Sequence, residues 1–181
     1  AERLRDGCDH TDLARPVPDG AKIRLLTEKD REALDVLRHS TSHIMAAAVM
    51  KLFPGAQHTI GPEIEDGFYY DFEVEHPFSS DDLAKIEAEM QKIIDAKHPF
   101  VREYLPRADA YGKAAKIGQR FKKEIMDGYP DNPSFSFYAT GDFVDLCTGP
   151  HVPDSSRVKA FKLTSVAGSY WRGDSKREKL Q

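Results

Sequence analysis

The stretch Asp30-Arg-Glu-Ala-Leu-Asp-Val-Leu-Arg-His39-Ser-Thr-Ser-His43-Ile-Met-Ala-Ala-Ala-Val-Met-Lys-Leu-Phe53 decides how this chain folds. Leu34, Leu37, Ile44, Ala47, Ala48 and Leu52 recur at near-helical spacing. Thr27 can cap a helix, and Glu28 and Asp30 fall in its first turn, where the helix dipole favours negative charge. Pro54-Gly55 ends the run. The spacing predicts a helix over about 29–53, with His39-Ser40-Thr41 as the place where it could break. Four residues separate His39 from His43, so a helix sets both imidazoles on one face, close enough to share a metal or a water.

Outward from this helix, residues 2–8 and 22–27 read as short strands joined through Pro16, Pro18 and Gly20, which favour turns. Two strands alone cannot make a stable domain, so this segment reads as the tail of something upstream or as a small hairpin on the main body. Residues 58–61 and 67–74 read as strands, the second aromatic and preceded by the Asp66-Gly67 turn. Ser80-Asp81-Asp82-Leu83 caps a helix running to about Lys97, with Leu83, Ile86, Met90, Ile93 and Ile94 on one face. Phe100–Leu105 is a predicted strand, Arg107–Lys116 and Arg120–Met126 short helices, and residues 128–133 a loop. Ser134–Ala139 and Phe143–Leu146 form a predicted hairpin, and Phe161–Ala167 a last strand. The expected class is α+β: a mostly antiparallel sheet, a long helix carrying the His pair, and further helices packed on the sheet.

Composition excludes several classes. At 40% hydrophobic and 31% charged, the 181 residues suit a soluble globular protein with a real core. No apolar run approaches the roughly 20 residues that cross a bilayer, and Ala1-Glu2-Arg3-Leu4-Arg5-Asp6 is no signal peptide. Two cysteines, Cys8 and Cys147, are too few for a disulfide framework, which makes a reducing cytoplasm the expected location. The net charge of -4 argues against a general nucleic-acid binder. Charge distribution leaves RNA contact open. Lys113, Lys116, Arg120, Lys122 and Lys123 cluster without an acid among them, and residues 157–181 hold seven basic residues against Asp174 and Glu178. The competing reading is a solvated helix face and a basic end.

The second chemical signal is Cys147-Thr-Gly-Pro-His151. Gly149-Pro150 disfavours a helix, so the thiol and imidazole should flank a turn. Three His and one Cys make a tetrahedral zinc set in donor type; taken singly, each pair reads more often as ordinary surface or core residues. His10, His58, His76 and His98 show no comparable pairing, and Cys8 reads as a small packed residue.

Four ordered runs carry a family resemblance: His39-Ser-Thr-Ser-His43, Ile60-Gly-Pro-Glu-Ile-Glu-Asp-Gly-Phe-Tyr-Tyr-Asp71, Asp145-Leu-Cys-Thr-Gly-Pro-His-Val-Pro153, and Ala167-Gly-Ser-Tyr-Trp-Arg-Gly-Asp174. Together they resemble the second N-terminal domain, the editing domain, of bacterial-type threonyl-tRNA synthetases. The resemblance runs from about residue 28 to the end. Residues 1–27 resemble the closing strands of the TGS domain that precedes it in that family. The His and Cys-His pairs also resemble those of alanyl-type editing domains, while Tyr170-Trp-Arg-Gly-Asp174 favours the threonyl member.

The resemblance implies post-transfer editing: hydrolysis of the aminoacyl ester of tRNA(Thr) mischarged with serine, by a fragment lacking the aminoacylation core and any ATP site. The implied partners are the acceptor end of tRNA(Thr) and the rest of a synthetase chain, with no membrane. One missing methyl gives only about 10–200-fold discrimination, which is why such a second site is needed. His39, His43, Cys147 and His151 would line the pocket, with His43 or His151 orienting or activating water. Asp145 would bind the substrate amine or help position water. Lys122 matches the family's editing lysine, with Lys123 as competitor, and would stabilise the oxyanion or hold the terminal phosphate. Tyr70 would shape the pocket or contact the terminal adenosine. The pocket would work without a cofactor or hold zinc on His39, His43, Cys147 and His151. Two other functions fit the same residues: a zinc-stabilised tRNA-binding module without turnover, and an alanyl-type trans-editing hydrolase.

Overall fold

The structure is a computed structural model that describes residues 10–181. The strand predicted over 2–8 lies outside the described residues. Its expected partner at 22–27 forms no strand, and the chain enters the body as irregular backbone anchored by Arg24 on Asp30 and Glu32.

Helix α1 spans Arg31–Leu52 without interruption. The break expected at His39-Ser40-Thr41 does not occur, for a local reason. Ser40 and Thr41 donate their hydroxyls to the carbonyls of Val36 and Leu37, one turn back, at 2.8 and 2.7 Å. Ser42 donates outward to the Gly61 carbonyl at 2.7 Å. Every residue from Ser40 to Val49 but one lies under 9% exposed, and Met45 sits at that value. The small side chains of Ala46, Ala47 and Ala48 let neighbouring elements close around this part of the helix.

Short strands follow: β1 (Gln57–His58), β2 (Glu63–Ile64), β3 (Gly67–Phe68) and β4 (Phe72–Glu73), paired antiparallel as β1 with β4 and β2 with β3. Helix α2 (Ser80–Asp95) is capped by Ser79, not Ser80, in a reciprocal box with Asp82. Its apolar face, with Ile86, Met90 and Ile94, meets α1, Tyr70 and Phe72 in the larger core.

Strand β5 (Phe100–Pro106) runs into α3 (Arg107–Lys116) and α4 (Arg120–Asp127); β6 (Ser134–Thr140) and β7 (Phe143–Leu146) then complete an antiparallel sheet in the order β5-β6-β7. Ala110 and Ala114 of α3 and Met126 of α4 pack on Phe135 and Phe137 of β6 in a second core. Residues 161–167 form no strand. The Leu163 amide bonds the Glu87 side chain at 2.7 Å, so this segment is held by α2 instead of a ladder. Short strands β8 (Ser169–Tyr170) and β9 (Lys179–Leu180) pair near the end, where Gln181 exchanges both backbone hydrogen bonds with Phe72. The class is α+β, with all its strand pairs antiparallel. Among the described residues no helix is long and apolar enough to cross a membrane.

Much of the basic charge near the end is internally matched. Arg157 lies by Asp154, Lys162 on Glu87, and both Arg172 and Arg177 on Glu124. Lys113 and Arg120 are likewise paired, with Glu103 and with Glu73.

Candidate active site

Two sequence-distant segments make the first half of the site. His39 and His43 lie on one face of α1 with ring centroids 5.1 Å apart. The turn after β7 brings Cys147 and His151 against them. His39 Nε2 is 3.1 Å from Cys147 Sγ, and His151 Nε2 is 3.5 Å from the same sulfur. One ligand atom from each of His39, His43, Cys147 and His151 lies within 4.8 Å of the others, so the four predicted residues do converge. Gly149 makes the turn possible: its φ is +71°, and any Cβ there would overlap the Tyr138 hydroxyl.

Supporting partners fix the rings. Ser40 Oγ lies 3.1 Å from His151 Nδ1 and accepts the Val152 amide at 3.0 Å. Glu63 lies 3.6 Å from His39 Nδ1. Asp12 accepts the His151 amide at 2.8 Å and the Tyr138 hydroxyl at 2.6 Å. Burial alone would push His39 down, but the neighbouring Cys147 and Glu63 outweigh it and raise His39 to about 10. Burial would raise the Cys147 thiol, and the His43 and His39 rings instead hold it well below the usual thiol range. Each of the two groups thus favours the other's charged form. His151 is pushed down to about 4 by burial and then by His43, so its ring is neutral at physiological pH.

The second half is built around Asp145, on β7 and only 2% exposed. Lys122 Nζ lies 2.6 Å from Oδ1, His58 Nε2 3.0 Å from Oδ1, and Tyr70 donates its hydroxyl to Oδ2 at 2.6 Å. His43 Nε2 stands 3.7 Å from Oδ2 and joins the two halves. Lys122 also donates to the Thr59 carbonyl and to the Tyr70 hydroxyl, the latter at 3.1 Å. Burial would raise Asp145; Lys122, His58 and His43 together hold it well below the usual carboxylate range. Tyr70 is pushed well up by burial and by Asp145. Lys122 is buried while Lys123 is exposed, which separates the two lysines that sequence left in competition.

His58 was missed by sequence reasoning. It belongs to no histidine pair, and its 3.0 Å contact with Asp145 joins residues of two separate sheets. Ser40, Glu63 and Asp12 likewise carry no spacing signal.

Residues 135–181 match the family described as the threonyl and alanyl tRNA synthetase second additional domain. Over 170 residues, 94% of its length, the chain is 50% identical to a threonine–tRNA ligase of Hahella chejuensis and 52% identical to one of Citrifermentans bemidjiense. A Wolbachia threonine–tRNA ligase from the Brugia malayi symbiont is 50% identical over 178 residues, 98% of the chain. The chain is thus similar over nearly its whole length to threonyl-tRNA synthetases. It spans about a quarter of the length of these synthetases, 27% of the first two and 28% of the third.

Proposed function

We propose that this chain is the editing domain of a threonyl-tRNA synthetase and hydrolyses the ester that joins serine to the terminal adenosine of tRNA(Thr). The observation that carries the reading is His43: a buried ring with Nδ1 unpartnered and Nε2 turned toward Asp145. An imidazole with a carboxylate near one nitrogen and no partner among the described residues on the other can take the proton of a water admitted to the site. His151 suits that role less, because its Nδ1 meets Ser40 and its Nε2 meets Cys147.

In this reading water bound at His43 attacks the ester carbonyl carbon as its proton passes to the imidazole. The bond from carbonyl carbon to ribose oxygen then breaks, and the ribose oxygen takes up a proton. The products are free serine and tRNA(Thr) with its hydroxyl restored. His39, whose charged form Cys147 and Glu63 favour, would stabilise the developing oxyanion. Lys122 is not available for a phosphate: its three protons have the Asp145, Thr59 and Tyr70 oxygens as partners, so it fixes Asp145 and Tyr70. Asp145 is fully engaged too, which leaves Glu63, about one-third exposed beside His39, as the carboxylate for a substrate ammonium.

The donor set fits zinc. His39, His43, Cys147 and His151 would hold it, with Ser40 and Glu63 orienting two of the rings. Bound there, the ion would polarise a water or the ester carbonyl. A four-donor set is also what a purely structural zinc centre uses, and this favours a second reading, a zinc-stabilised tRNA-binding module.

The test is release of amino acid from seryl-tRNA(Thr) and threonyl-tRNA(Thr), with and without a strong chelator. Release of serine but not threonine supports editing. No release of either at saturating protein, with unfolding on chelation, favours the binding module.

A further inference from the structure

Beside His58 lies a cavity of about 540 Å³ whose wall also includes Ala47, Met50, Gln119, Thr140 and Phe143. The His58 ring therefore touches two places at once. Its Nε2 is 3.0 Å from Asp145 Oδ1, and the ring forms part of the cavity wall. Two buried polar atoms of this wall, His58 Nδ1 and Thr140 Oγ1, have no hydrogen-bond partner among the described residues. A buried polar atom without a partner is costly, and the cavity beside these two has room for water to supply one.

We propose that His58 is a positioning residue for the hydrolysis, setting Asp145 toward His43 while its other nitrogen is satisfied by water in the cavity. The inference rests on the editing reading and adds a residue to it. A carboxylate accepts only, so the proton of the 3.0 Å contact sits on His58 Nε2 and Nδ1 is the bare acceptor. Burial, and then Lys122, push His58 down against the pull of Asp145, which keeps the ring neutral. The ring is held rigidly. It lies 5.3 Å from the Phe143 ring and 6.1 Å from Tyr70, and its backbone amide donates to the Gln119 side chain at 2.9 Å. His58 and Lys122 both pull on Oδ1, and Tyr70 holds Oδ2. With His58 gone, Oδ1 keeps only the lysine, and the carboxylate is free to swing toward it and away from His43.

The experiment compares wild type, His58→Ala, His58→Gln and His58→Phe in single-turnover deacylation of seryl-tRNA(Thr), with imidazole added. His58→Ala is expected to lose about 10–100-fold in kcat at nearly unchanged KM. Imidazole entering through the cavity should restore several-fold of that loss, in His58→Ala only. His58→Gln, which keeps a donor, should lose less, and His58→Phe, which fills the space without one, should stay as slow as His58→Ala. Activity recovered by His58→Phe, or an imidazole-insensitive His58→Ala at full kcat, would overturn the proposal. A second readout is the nitrogen-15 spectrum of the His58 ring, expected to show a protonated Nε2 whose signal shifts in Asp145→Asn. An unshifted signal would overturn the proposal even where His58→Ala fails to fold. If wild type itself releases no serine, the editing reading fails and the positioning role with it; the ring spectrum still shows whether His58 grips Asp145.

Discussion

Replacing Lys122 with Met should reveal how strongly the buried pair at the centre of the site is coupled. Lys122 and Asp145 have side chains 1% and 2% exposed, with Nζ and Oδ1 2.6 Å apart. Removing one member of such a pair strands a buried charge, at a cost of about 3–5 kcal/mol. His58 and Tyr70 still donate to Asp145, so the lower end, about 3 kcal/mol, is expected. In a chain of this size about 1 kcal/mol moves Tm by about 2–4 °C, so Lys122→Met should melt about 6–12 °C below wild type. Asp145→Asn strands the lysine in turn. The double variant leaves neither charge, and should be no less stable than the worse single one. Urea unfolding of all four proteins, followed by far-ultraviolet circular dichroism, gives the cycle, with an expected coupling of about 2–3 kcal/mol. Additivity to within about 0.5 kcal/mol would refute the view that these two charges stabilise each other.

Three further outcomes follow from single contacts. Gly149→Ala should destabilise by about 1–3 kcal/mol, from the positive φ and the overlap with the Tyr138 hydroxyl; Tyr138→Phe in the same chain should recover part of it, and a melt showing no recovery would count against the overlap. Ser40→Ala orphans the Val152 amide and unties His151, at a cost of about 1–3 kcal/mol by denaturant unfolding, with serine release slowed as well. Glu124 is held down at about 2, chiefly by the Arg177 guanidinium and against burial, with Trp171 adding to the effect. Because its folded value lies below the unfolded value of about 4.3, its contribution is present above that pH and is lost as pH falls toward the folded value. Arg177→Met should therefore lower stability slightly at neutral pH, the pair being solvent-screened, and the deficit should shrink in acid titrations; a deficit that grew with acid would contradict the assignment.

The sequence was most legible where periodicity and chemistry coincided. Helical spacing located α1 and placed His39 and His43 on one face, and the Gly149-Pro150 turn set Cys147 and His151 together. The family motifs singled out Lys122, Asp145 and Tyr70, and these do meet. His58 was not legible, because its contact with Asp145 is tertiary, made across two strands that do not pair with each other. Residues 161–167 alternate like a strand yet have the Leu163 amide taken by Glu87, a tertiary partner that local pattern does not reveal. The helix break expected at Ser40 failed for a similar reason: hydroxyls that compete with helix in isolation are satisfied here within it, and through Ser42 by Gly61.

Asp12 carries a consequence for where one unit ends and another begins. Resemblance divides the chain near residue 28, yet the Asp12 carboxylate is a hydrogen-bond partner of His151 and of Tyr138. By linkage, whatever holds or displaces the stretch around Asp12 changes the free energy of the His151 turn by the same amount in return. The stretch before residue 28 is thus a lever arm with its short end in the pocket, and cutting or re-joining the chain there would also tune the site.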